Sequence, residues 1–70
     1  MDIKDLENRF KYHKPKNEEI AEHHSRVRVL CSTLAEELNE FIPEGREKSL
    51  AITHLEEVMF WTNAGIARNG

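Results

Sequence analysis

The chain has a single cysteine, Cys31, so no disulfide can close within it. A bridge between copies would need an oxidising compartment. No apolar run approaches the roughly 18 residues of a membrane span. The opening "MDIKDLENRF" is polar and acidic from its second residue, unlike a signal peptide. These absences predict a soluble intracellular protein. Cationic charge is also short: the formal net charge is −3, which argues against a duplex-DNA binder with a broad basic face. No segment alternates with period two between turn residues, so no sheet is expected. There is no internal repeat and no low-complexity tract.

Metal and catalytic signatures are equally sparse. The sequence has no HExxH, CxxC or HxxxH. His24 and Cys31 share one helix face and His54 is the only histidine downstream of them, which is too scattered for a structural metal site. Cys31 falls inside an apolar stripe, where cysteine usually acts as a small hydrophobe. Glu36–Glu37 and Glu56–Glu57 read as solvated helix surface. Nothing here points to an enzyme or to a cofactor.

What is present is helical. Asp2 is placed to cap a short helix carrying Ile3, Leu6 and Phe10. Pro15 interrupts it, so residues 1–16 read as a short helix plus a basic linker. Asn17 is a second N-cap, followed by Glu18 and Glu19, where the helix dipole favours acid. Ile20, Val27, Leu30, Cys31, Leu34, Leu38, Phe41 and Ile42 then form one apolar stripe, giving a second helix over 17–42. Pro43 and Gly45 end it. A third helix follows over 45–69. Its stretch "VMFWTNAGIA", residues 58–67, is apolar nearly all round. Such a helix must be buried on more than one side. Two further helices cannot wrap it, but other copies can. Ala64, Gly65 and Ala67 would let another backbone approach closely. A chain of 70 residues has only a marginal core of its own. The expectation is one all-α domain: a short N-terminal helix plus two longer antiparallel helices, completed by oligomerisation.

One stretch runs against the acidic balance. "RFKYHKPK", residues 9–16, holds four cations and no carboxylate, so the other 62 residues sum to −7. Cations hold phosphates, and aromatic rings stack on bases. Tyr12 and His13 offer rings, Lys11, Lys14 and Lys16 offer charge, and Arg26 and Arg28 follow on the second helix. The bland reading is a solvated linker with Phe10 and Tyr12 tucked into the core. Trp61, Ala64, Gly65 and Arg68 share a stripe on the third helix. There, Arg68 either serves a ligand or simply suits the dipole at the helix end.

"YHKPK" at 12–16, followed by "REKSLAITHLEEVMFWTNAGIARN" at 46–69, resembles small phage proteins of the anti-CBASS cyclic-oligonucleotide sponge family. The resemblance implies a helical homohexamer of three interlocked dimers in the host cytoplasm. It would sequester cyclic dinucleotides made by the bacterial host, and in some members cyclic trinucleotides in separate pockets, without hydrolysing them. It implies that Tyr12 stacks on a base and that Arg28 or Arg26 contacts the cyclic dinucleotide, with Arg28 preferred through the "VR" alignment. Arg68 of "IARN" matches the arginine of the trinucleotide pockets. Gly45 departs from the pattern, standing where Ser or Asp often caps the helix. A reading from a different class is a small helical inhibitor that docks on a host protein.

Overall fold

The computed structural model describes residues 1–70 as three α-helices and no strand: α1 (Ile3–Phe10), α2 (Glu18–Phe41) and α3 (Arg46–Asn69). The caps read from the sequence set the first two starts. The Asp2 carboxylate accepts from the Lys4 amide at 3.4 Å, and the Asn17 side chain accepts from the Ile20 amide at 2.9 Å. Ile42 turns extended ahead of Pro43 and stops α2. Gly45 precedes α3 in extended backbone and supplies no side-chain cap.

α2 and α3 form an antiparallel hairpin, and two polar links fix its register. Near the turn, the Lys48 ammonium donates to the Asn39 carbonyl at 2.7 Å and to Glu44 Oε1 at 2.6 Å. Near the open end, His24 Nδ1 donates to Asn63 Oδ1 at 2.9 Å. Both links are symmetric about the Pro43–Glu44 bond. Between them Val27, Cys31, Ala35 and Leu38 of α2 are half-buried, as are Ile52, Leu55 and Met59 of α3. The Lys48 link has a clear cause. α2 has no basic residue in its last turn, so α3 supplies the cation that its terminal carbonyls favour.

The molecule is a slab of 44 × 31 × 13 Å, thin enough for a single layer of helices. Consequently no apolar side chain is fully buried, and the most enclosed residue is Lys48, at 8% exposure. The single α2 stripe expected from the sequence divides in space. Ile20, Val27, Cys31, Leu38 and Ile42 turn to the seam, whereas Leu30, Leu34 and Phe41 remain exposed. One neighbouring helix covers a narrower arc than the stripe spans. On α3 the apolar girdle is covered only in part. Asn63 to Arg68 are half-buried without interruption, while Val58, Phe60 and Trp61 stay exposed.

Candidate ligand-binding site

The open end of the hairpin gathers four pieces of chain. These are the last turn of α1, the 11–17 linker, the first turn of α2 and the last turn of α3. A Cβ added at Gly70 would lie 3.5 Å from Ile20 Cδ1, which places the end of α3 against the start of α2. The Arg68 guanidinium reaches the other way, with Nη2 donating to the Arg9 carbonyl of α1 at 3.5 Å.

The linker alternates in exposure. His13 and Pro15 are half-buried, whereas Lys11, Tyr12, Lys14 and Lys16 are exposed. Tyr12, Lys14 and Lys16 thus stand in solvent around the two inward positions of the linker. Its inner side is anchored: His13 Nε2 donates to the Asn8 carbonyl of α1 at 2.7 Å. That bond assigns the proton to Nε2, since a carbonyl only accepts. Tyr12 is 80% exposed and Phe10 83%. Neither ring is tucked into a core, so the bland reading of this segment does not hold within the protomer. A ring held out beside two ammonium groups is equipped to stack on a base while the cations meet phosphate. His13, read from the sequence as a second ligand ring, holds the linker to α1 through this bond.

Arg26 and Arg28 part company. They are two residues apart on α2, so they project to nearly opposite sides of it. Arg28 Nη2 donates to Ser25 Oγ at 3.2 Å. By helical period Arg28 shares its side with Ser32 and Ala35, and Arg26 shares its side with Leu30. Neither arginine bonds to the linker, and Arg28 lies about 16 Å along α2 from Asn17.

A concavity lies elsewhere, along the seam. A groove of about 290 Å³ opens between α2 and α3 where Cys31, Ser32 and Ala35 are short, opposite Ile52, Thr53 and Met59. Its one charged wall residue is Glu56, an acid that repels phosphate. The groove suits apolar side chains, and the linker suits anions. His54, considered for a metal, sits exposed with Nδ1 at 3.6 Å from Glu57 Oε2, and His24 is engaged by Asn63.

Lys48 and the Arg68–Arg9 contact were not legible as roles in the sequence. Lys48 falls on the seam side of α3 by period, a weak signal, because a lysine there is ordinarily read as surface. No curated protein and no solved structure matches the chain. A family description does match, Acb2/Tad1, hairpin domain, over residues 1–67. That span takes in the capped α1, the anchored basic linker and nearly all of the α2–α3 hairpin, so the chain belongs to the Acb2/Tad1 family, the anti-CBASS cyclic-oligonucleotide sponges.

Proposed function

We propose that this chain is a phage-encoded sponge. It sequesters host cyclic oligonucleotide second messengers in the host cytoplasm without hydrolysing them, and so keeps CBASS effectors switched off. The observation that carries the reading is the anchored linker, with Tyr12, Lys14 and Lys16 exposed while His13 bonds inward to the Asn8 carbonyl. A cyclic dinucleotide carries two bases and two phosphates, and that row offers one stacking ring and two cations. Anchoring lowers the ordering cost of binding. Arg28 supplies a further phosphate contact, and Arg26 is the alternative on the opposite side of α2. Arg68 is the cation for cyclic trinucleotides.

The working unit is an oligomer of this chain, a homohexamer. A compact chain of 8.2 kDa exposes about 4,500 Å², whereas the protomer exposes 5911 Å². The surplus of about 1,400 Å² exceeds the ~800 Å² that one partner contributes to a standard interface. Tyr12 and Arg28 come from separate parts of the protomer, and symmetric copies bring such groups to one ligand.

Calorimetric titration with a panel of cyclic dinucleotides and trinucleotides tests this, followed by chromatography of the ligand released on denaturation. Saturable binding with intact ligand recovered is the expected result. Absence of binding across the panel, or recovery of linear products, would overturn it. The exposed Leu30, Leu34, Phe41 and Trp61 favour a second reading, an inhibitor docked on a host protein. That reading gains if the chain is monomeric and ignores the whole panel.

A further inference from the structure

We infer that Arg68 is a positioning residue: its guanidinium straps the C-terminal end of α1 to the hairpin and thereby sets where the Tyr12 linker stands. The ligand-binding half of this inference rests on the sponge reading above, while the strap itself does not.

α1 is a short helix with little to hold it. It has eight residues, and isolated helices shorter than about 12–15 residues are marginal in water. Its local supports are modest. They are the Asp2 cap and an Arg9–Asp5 ion pair at 3.3 Å, the latter between half-exposed groups and so weak. Tertiary burial does not compensate, because Ile3, Leu6 and Phe10 are all exposed. His13 ties α1 only to the linker that follows it. The one hydrogen bond from α1 to the hairpin is Arg68 Nη2 to the Arg9 carbonyl.

The chemistry of that contact fits a strap. The last carbonyls of a helix have no partner within it and carry the negative end of its dipole. A guanidinium from another element meets both needs. Arg68 is also the one half-buried arginine, the other four being exposed, consistent with a side chain laid across α1 rather than solvated at the end of α3. Arg9 is followed by Phe10, Lys11 and Tyr12, and His13 reaches back to Asn8. Residues 8–13 therefore form a small closed unit, and moving its anchor at Arg9 moves Tyr12. Two sites read separately from the sequence, Tyr12 and Arg68, are in this way mechanically joined in one protomer.

Backbone hydrogen exchange on the ligand-free full chain tests the strap without any ligand. In Arg68→Ala, amides of residues 6–11 should exchange about two- to fivefold faster, the scale set by loss of a charge at a helix terminus. The amides of α2 and the first turns of α3 should be unchanged, and Arg68→Lys should recover part of the protection. Unaltered exchange in residues 6–11 would overturn the strap. General loosening of the hairpin would overturn it too, by making Arg68 a support of the whole fold. Titration with cyclic di-GMP then tests the consequence for binding. Arg68→Ala should weaken it severalfold, with partial recovery in Arg68→Lys, while Tyr12→Ala weakens it without altering ligand-free exchange at residues 6–9. A loosened α1 with unchanged cyclic di-GMP affinity would overturn the link to Tyr12. Loss confined to cyclic tri-AMP, with ligand-free exchange intact, would overturn the strap and leave Arg68 its trinucleotide role alone. If the unaltered protein binds no cyclic oligonucleotide, the sponge reading falls and the exchange result still decides the strap.

Discussion

Replacing Gly65 by alanine has opposite expected effects on an isolated chain and on an assembled one. Gly65 lies inside α3, and a Cβ built there meets no atom of its own chain within 4 Å. Within the protomer the extra methyl is therefore free of steric cost. Removing a glycine from a helix interior should then stabilise by about 1 kcal/mol, raising Tm by roughly 4–8 °C for a domain of this size. If α3 instead packs closely on another copy through Ala64, Gly65 and Ala67, the added bulk enters a helix crossing. Overpacking there costs about 1–3 kcal/mol per contact, repeated at every equivalent interface, and Gly65→Leu should cost more than Gly65→Ala. The assay is light scattering on a size-exclusion column over a dilution series, paired with thermal melts by circular dichroism. The expected result is a lower mass at micromolar concentration for Gly65→Leu and a melting temperature that falls on dilution. A variant with unchanged mass and a raised Tm would refute the reasoning and leave Gly65 facing solvent.

Tyr12→Ala should weaken cyclic dinucleotide binding tenfold or more, from the roughly 1–3 kcal/mol of one stacked base, with the oligomer intact by scattering; unchanged affinity in calorimetry removes Tyr12 from the site. Trp61 is the only tryptophan and is 68% exposed in the protomer, so its fluorescence should shift to the red on dilution as copies part. A red emission that does not move while the mass falls would place Trp61 outside the interface. Lys48→Met should lower stability by about 1–2 kcal/mol in thermal or urea melts, because the Asn39 carbonyl loses a charged donor. Glu44→Gln should cost less than about 0.5 kcal/mol, since Glu44 is solvent-exposed; a larger loss from Glu44→Gln than from Lys48→Met would contradict that division. Gly45→Ser should add a few tenths of a kcal/mol by capping α3, and its melt should never fall below that of the parent.

Local signals were the legible ones. Asp2 and Asn17 announce helix starts because a short acceptor side chain before an apolar repeat has few other uses, and both accept the bonds expected of them. Pro43 stops α2 for a reason internal to one residue. The α2 stripe was legible as apolar but not as divided, because sequence period shows which residues avoid water and not how many neighbours share them. Leu30 and Leu34 look the same as Val27 and Leu38 until the partner helix is placed. At the candidate site, Tyr12 and the lysines stood out by composition. That His13 faces inward, and that Arg68 reaches Arg9 across 59 positions, depends on how the chain ends are brought together, which no local pattern encodes. Gly45 shows the reverse case, a helix start with no side-chain signal at all.

The two polar links of the hairpin bear on mispairing. The apolar teeth of the seam recur every three or four residues, and three of them, Ala35, Cys31 and Met59, are small or flexible. A hairpin shifted by one helical turn, about 5.4 Å, would mesh nearly as well by hydrophobic contact alone. Lys48 and His24 remove that degeneracy. In a shifted alignment the Lys48 ammonium leaves the Asn39 carbonyl, and His24 faces a residue other than Asn63. Each half-buried polar group stranded in this way costs about 1–3 kcal/mol. The links sit at opposite ends of the seam, so a shift cannot keep one while losing the other. Two inexpensive polar contacts thus act as a lock on alignment, selecting one pairing among several that grease alone would tolerate.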